Sequence, residues 1–258
     1  ARERGMNILL INQEFPPMEG GAGNAAYFLS RELAARGHRL HVITALQPHA
    51  PPLVAGVQVT RVPVAGWEGG AFPLHALRSF ASAAFHAAME AEPPGVTLAF
   101  FGWPGGGVSR RLRVARGIPY VVALRGSDVP GFRLPVWHPV SLLARPLVRA
   151  IWRDAAAVVA NSESLRALAR RTWDGRVEVI PNGVDARTYA PGAAGVDRPF
   201  TVLTVSQLVP RKRIDLLLES WARFRRAVPG DARLRVIGRG REEAALRARP
   251  PARHRRNR

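Results

Sequence analysis

Cationic side chains beside glycine-rich turns are the groups of this sequence best suited to hold a phosphorylated ligand. Arg211, Lys212 and Arg213 occupy a loop after the apolar run Val202–Val205. Beyond it, Ile214, Leu217, Leu218, Trp221 and Phe224 recur at helical spacing. Pro229 and Gly230 end that helix, and a second apolar run, Leu234–Ile237, leads into Gly238-Arg239-Gly240 and a helix beginning near Arg241. Strand, basic loop, helix, strand and Gly-x-Gly turn make a phosphate-handling βαβ unit, in which the turn leaves backbone N–H groups free to face an anion. Val202–Val205 shows no alternation and reads as a parallel strand buried on both faces.

A second glycine pattern, Gly21-Ala22-Gly23-Asn24-Ala25-Ala26, fits the G-x-G-x-x-A fingerprint of dinucleotide-binding folds and lies between a strand and a helix. Two features oppose that reading. The stretch Gln13–Gly20 separates the strand from the first glycine, too far for a tight pyrophosphate turn, and Thr44-Ala45-Leu46-Gln47 offers no acid for a ribose hydroxyl. A flap that closes over a substrate between two domains suits Gly21 and Gly23 better, with a plain flexible connection as the competitor. Asn161 and Ser162 stand before another helix, where an N-cap role competes with ligand contact.

These residues need a frame. Apolar runs bounded by turn residues predict strands at Asn7–Ile11, Leu40–Thr44, Val57–Val62, Val96–Phe101, Tyr120–Leu124, Ala157–Ala160 and Val177–Ile180, with helical patterns between most of them. The helix over Val140–Asp154 mixes leucines with arginines; a core-packed helix is the favoured reading and an interfacial one the minority reading. Strand–helix alternation argues an α/β protein of two tandem Rossmann-like domains with parallel sheets. The first is expected over residues 1–195 and the start of the second over 199–249, with the junction at Gly192–Pro199 and a disordered tail at 250–258.

Composition narrows the function classes. The 258 residues are 47% hydrophobic, enough for substantial cores, and contain no cysteine, which excludes disulfides and thiolate metal sites. His38 and His41 form the closest histidine pair, and as strand-entry residues on opposite faces they give no metal site. A net charge of +19 invites a nucleic-acid reading, but the arginines are spread over the whole chain and no aromatic-rich basic strand accompanies them. The expectation is therefore no nucleic-acid partner, with attraction to acidic lipid as a secondary reading. No stretch has the length of a transmembrane helix or a signal peptide, so a cytoplasmic protein is expected, in peripheral contact with the membrane at most.

In chain order, MNILLINQEFPPMEGGAGNAAYFLSRELAARGHRLHVIT, ALRGSDVPGF, VVANSESLRALARR with VEVIPNGVD, and VLTVSQLVPRKRIDLLLESWARF with LRVIGRG resemble glycosyltransferase family 4 over roughly Met6–Arg249. The resemblance implies a GT-B fold, a nucleotide-diphosphate-sugar as co-substrate, a saccharide or lipid-linked acceptor, retention of anomeric configuration, and neither metal nor resident cofactor. Loss of the diphosphate needs its charge stabilised, which Arg, Lys and helix N-termini can do. The family's phosphate clamp, an arginine and then a lysine, falls on Gln207 and Lys212; Gln207 brings a hydrogen-bond donor without charge, which Arg211 or Arg213 would have to offset. Gly238 and Gly240 match the family's turn near the donor. Where many members have a histidine after the fifth strand, this chain has Arg125, with Asp128 close behind. Both are nominated as catalytic contacts to donor or acceptor, against an Arg–Asp structural pair at even weight. Glu14, Asn161, Ser162 and Asn182 fall on the cleft or acceptor side, with a turn role for Asn182 equally supported.

The family's second domain continues through an acidic Glu…Glu segment that this sequence lacks, and PPARHRRNR resembles nothing in it. Exposed apolar helix surface and an unpaired strand edge are expected in the second domain, and the chain reads as a glycosyltransferase fragment, of cell-envelope polysaccharide synthesis, without turnover by itself. The alternative is a non-catalytic module that binds acceptor or partner through the first domain.

Overall fold

The computed structural model describes residues 5–18, 20–47, 54–68, 72–186, 188–190, 199–228 and 230–248. The tail 250–258 and, apart from Pro199, the expected junction lie outside them. The chain divides into two compact units, Ala1–Val184 and Asp185–Arg258.

In the first unit the apolar runs pair into a parallel seven-stranded sheet. Its strands are β1 (Asn7–Ile11), β2 (Arg39–Ala45), β3 (Val57–Val62), β4 (Val96–Phe100), β5 (Tyr120–Leu124), β6 (Ala157–Ala160) and β7 (Val177–Val179), in the order β3-β2-β1-β4-β5-β6-β7. Two-residue alternation sends Ile8 and Leu10 of β1 to one face and Leu9 and Ile11 to the other. The first face is covered by α1 (Gly21–Ala35) and the second by α2 (Leu74–Glu90) and α3 (Gly107–Arg116). Around β5–β7, α4 (Pro139–Arg153) and α5 (Glu163–Arg170) close a third cluster on Trp152, Ile151 and Leu165. The buried Tyr120 hydroxyl finds a partner by donating to the carbonyl of Ile151 at 2.6 Å. Parallel strands covered on both sides are the reason these runs read as nearly continuous apolar segments. Helix α4 follows the favoured reading through Val148, Ile151 and Trp152, yet Val140, Leu143 and Leu147 stay exposed.

The order of strands reverses between β1 and β4, since the chain first builds outward through β2 and β3 and then returns to the other side of β1. In open parallel sheets such a switch point opens a crevice at the carboxyl ends of the strands, where ligands bind.

The second unit contains β8 (Phe200–Val205), α6 (Ile214–Ala227), β9 (Ala232–Ile237) and the short α7 (Glu243–Arg247), with β8 and β9 parallel. Burial of β8 on both faces is not what the structure shows. Leu203 and Val205 are 57% and 69% exposed, while Val202 and Thr204 are half-buried, because α6 covers one face only among the described residues. Along α6, Ile214 is buried and Leu217, Leu218, Trp221 and Phe224 are half-buried.

Gly238 and Gly240 have a local explanation. Their φ angles are +154° and +157°, and a Cβ would lie 1.8 Å from the carbonyl oxygen of Ser206 or 2.3 Å from that of Leu208. The turns after β8 and β9 are thus pressed together, backbone to backbone, with Leu208 N–H donating to Arg239 and Glu242 N–H donating to Leu208. The N–H groups of Glu242 and Glu243 are taken up by Leu208 and Gly240, so this turn does not offer them to an anion as the sequence pattern led us to expect. Gly240→Ala is expected to destabilise the second unit by roughly 0.5–3 kcal/mol. Hydrogen exchange should show it as faster exchange at Ser206 and Leu208, with the amides of β1 and β4 unchanged.

Candidate active site

The carboxyl end of β1 runs into Asn12 and Gln13, both buried. The Asn12 side chain accepts from the N–H of Glu14 at 3.2 Å and donates to the carbonyls of Glu14 and Ala22. One amide thereby holds the loop 13–18 over the start of α1. Sequence reading missed Asn12; its signal was a polar residue directly after a buried strand, a position that has to be satisfied by hydrogen bonds.

Helix α1 begins at Gly21, so Gly21 and Gly23 lie in its first turn and not in a loose flap. Gly23 is buried, and a Cβ added to it would meet the backbone of Glu14, Phe15 and Met18 at 3.4 Å, whereas nothing stands within 4 Å of a Cβ added at Gly21. The fold therefore asks for a small residue at 23 and leaves 21 open. Glu14 reaches back toward Gly20, its Oε2 lying 3.1 Å from a Cβ built there. Burial pushes the Glu14 carboxyl above its ordinary value, with the charge of Arg133 pulling the other way.

The turn after β4 is strained. Phe101 has φ +67°, a left-handed conformation that costs a non-glycine residue about 1–3 kcal/mol and persists only when its surroundings hold it. The holding group is Asp128. Its Oδ2 accepts from Gly102 N–H at 2.7 Å, and its Oδ1 accepts from the N–H groups of Arg125 at 3.0 Å and Gly126 at 2.9 Å. One carboxylate joins the turns after β4 and β5. Burial raises its pKa, and the backbone donors of Gly102, Arg125, Asp128 and Gly126 oppose that rise.

Asp128 and Arg125 are close but form no side-chain ion pair; the carboxylate takes the backbone of Arg125 and leaves its guanidinium free to turn elsewhere. The guanidinium carbon lies 3.8 Å from the centroid of the Phe100 ring, and Nη1 donates to Asn182 Oδ1 at 2.8 Å. Burial pulls Arg125 down to about 10, opposed by the charge of Asp128, so it remains a cation at neutral pH. Glu14, Arg125, Asn161, Ser162 and Asn182 all follow the carboxyl ends of strands of the same sheet. Of these, Arg125 and Asn182 are joined directly. Ser162 is the N-cap of α5, its Oγ accepting from Leu165 N–H at 3.3 Å, and Asn161 lies half-buried beside it.

In the second unit, Gln207, Arg211 and Lys212 are exposed on the turn after β8. Arg213, in the left-handed conformation at φ +51°, is held by the Asp215 carboxylate at 3.1 Å, so its charge is already partnered. Among the described residues no three His, Asp or Glu side chains converge as a metal site, and no helix is long and apolar enough to cross a membrane.

Comparison with known proteins gives a coherent picture. The family described as "Glycosyl transferase 4-like domain" matches residues 20–183. A Mycolicibacterium smegmatis protein named GDP-mannose-dependent alpha-(1-6)-phosphatidylinositol monomannoside mannosyltransferase is 31% identical over 147 residues, covering 52% of this chain and 35% of that protein. Its namesake from Mycobacterium tuberculosis is 27% identical over 253 residues, covering 90% of this chain and 61% of that protein. The chain thus spans well under two thirds of the curated relatives it matches. In structure it is similar to sucrose-phosphate synthase from Thermosynechococcus elongatus, with TM-score 0.71 at 19% identity over 90% of this chain and 62% of that one. The α/β architecture is of the GT-B type, with the second Rossmann-like domain represented in part.

Two substitutions test these structural roles. Asp128→Asn leaves one acceptor oxygen where two oxygens serve three N–H groups, and is expected to cost about 1–3 kcal/mol in chemical denaturation of the first unit. Gly21→Ala should leave the melting temperature unchanged or slightly raised, since Ala is favoured over Gly within helices by about 0.5–1 kcal/mol. A lowered melting temperature would instead mark Gly21 as packed in the way Gly23 is.

Proposed function

Because the chain belongs to the glycosyl transferase 4-like family, we propose that it serves the transfer of a sugar from a nucleotide-diphosphate-sugar to a saccharide or lipid-linked acceptor in cell-envelope polysaccharide synthesis. The observation that carries this reading is the placement of Arg125 and Asn182 together at the carboxyl edge of a sheet whose switch point also receives the Glu14 loop. In the reaction, the bond from the sugar's anomeric carbon to the diphosphate breaks and an acceptor hydroxyl oxygen forms the new bond, with retention of configuration. The nucleoside diphosphate leaves with the electron pair and takes up the proton that the acceptor hydroxyl gives up. Lys212 and Arg211, exposed on their turn with no ion pair among the described residues, are assigned to the departing diphosphate, with Gln207 as an uncharged donor. Gly238 and Gly240 support that turn from beneath through their backbone. Glu14, Asn161 and Ser162 are assigned to the acceptor side. The proposal involves no resident cofactor, metal or nucleic-acid partner.

The two mycobacterial relatives are named for GDP-mannose and a phosphatidylinositol monomannoside. They make GDP-mannose the first donor to test and a glycolipid the first acceptor. A cytoplasmic protein in peripheral contact with the membrane fits such an acceptor, and the exposure of Trp137, Leu143 and Arg133 supports that contact. A second reading, a binding module without turnover, is favoured by one contrast. The first unit buries extensive core, while among the described residues of the second only Leu208 and Ile214 are buried.

Calorimetric titration with GDP-mannose and UDP-sugars separates the two. Donor binding is expected, weakened about 10- to 100-fold by Lys212→Ala through loss of a charge-assisted hydrogen bond. Binding of a glycolipid headgroup with no nucleotide-sugar binding at all would point instead to the module.

A further inference from the structure

We infer that Arg125 is a preformed receptor for an oxyanion, so that the first unit holds a phosphoryl-binding position of its own at the carboxyl end of β5. Most arginines for which the structure gives an ion pair meet a carboxylate at the surface; Arg110 and Arg153 share Asp154, for example, and Arg39 meets Glu92. Arg125, like Arg61 and Arg145, has no ion pair among the described residues and keeps a buried guanidinium nitrogen without a partner, but it alone of the three lies just beyond the carboxyl end of a strand. It is half-buried, its Nε is fully buried without a hydrogen-bond partner, and its Nη2 makes no bond among the described residues. Its contacts are a neutral amide at 2.8 Å and an aromatic face at 3.8 Å. The nearby acid, Asp128, spends both oxygens on backbone N–H groups.

A guanidinium offers five donors in a fixed fork, and this one uses a single donor among the described residues. Withdrawing a cation from water without a counter-charge is unfavourable, and a ring face returns only part of that cost. What Phe100 and Asn182 do supply is direction: they fix the plane of the fork, and among the described residues nothing bonds its Nη2. An anion with paired oxygens is the missing partner, because bidentate pairing with phosphate or carboxylate is the strong interaction of a guanidinium. A phosphoryl group is favoured over a carboxylate because every proposed substrate of this site carries phosphate in its donor and the glycolipid acceptors carry it too. That choice rests on the proposed glycosyl transfer, whereas the need for an anion does not.

The test is calorimetry on the full chain at fixed ionic strength, with inorganic phosphate and glycerol phosphate as monoester-like probes, GDP as the diphosphate and glycerol as the neutral control. Phosphate and glycerol phosphate are expected to bind and glycerol not to bind. Arg125→Gln should weaken the monophosphates at least tenfold, while Lys212→Ala leaves them unchanged. If GDP also weakens tenfold in Arg125→Gln, the anion is the diphosphate of the donor; if only the monophosphates weaken, it is a phosphate of the acceptor. Should Arg125→Gln fail to fold, Arg125→Lys keeps the charge without the fork and is expected to weaken the same probes several-fold. Monophosphate and GDP affinities that are unaltered by both Arg125 variants, absence of phosphate binding in the unaltered chain, or equal loss through Lys212→Ala would overturn the inference. Failure of nucleotide-sugar binding with phosphate binding intact would sink the proposed function and leave this inference standing.

Discussion

One buried carboxylate organises the working edge of the first unit. Asp128 collects the N–H groups of Gly102, Arg125 and Gly126, and so ties the turn after β4 to the turn after β5 at their carboxyl ends. Parallel strands present unsatisfied N–H groups wherever their ladder stops, and each left buried would cost on the order of 1–3 kcal/mol. An acid is suited to gather several at once, because two oxygens offer about four acceptor positions. The same contacts hold Phe101 in a left-handed conformation, which a chain left to itself would abandon. Arg125 then departs from its strand in a fixed direction, with its side chain on Phe100. The geometry of the edge follows from local polar satisfaction, before any ligand is considered.

The strands of this fold were legible because a doubly covered parallel sheet writes itself as short apolar runs between turns. Their number in the first unit and most of their limits follow from the runs alone. What could not be read is the set of backbone contacts that give single residues their meaning. Gly21 and Gly23 look alike in sequence, yet one faces open space and the other is packed under the 14–18 backbone. Asp128 was visible as an acid near a basic residue, but sequence spacing could not show that its partners are N–H groups on two different turns. Asn12 was legible only as a polar residue after a strand, since its partners are main-chain carbonyls and an amide of the loop it holds. Burial on both faces failed for β8 because an uninterrupted apolar run reports what a strand can tolerate, not what covers it.

The two units hold their cations in different physical settings. On the second, Arg211 and Lys212 stand in water, where attraction to an anion is screened by salt and gains little until water is displaced. On the first, Arg125 is already partly desolvated and oriented, so the cost of fixing a long, flexible side chain is met by folding rather than by binding. A preorganised cation of this kind gives selectivity through geometry, because only an anion whose oxygens match the fork recovers the hydrogen bonds that burial removed.

The residue type at this position also sets how the site answers to pH. A histidine there, as in many members of the family, changes charge within the physiological range, since its ordinary pKa is about 6.5. Arg125 stays charged even with burial pulling it down to about 10, because neutral pH remains well below that value. The carboxyls nearby move in the opposite sense: burial raises Glu14, so it keeps its proton to higher pH than a solvent-exposed glutamate does. As the pH falls, negative charge at the end of β1 is lost sooner than an exposed glutamate would lose it, while the positive charge at the end of β5 stays in place.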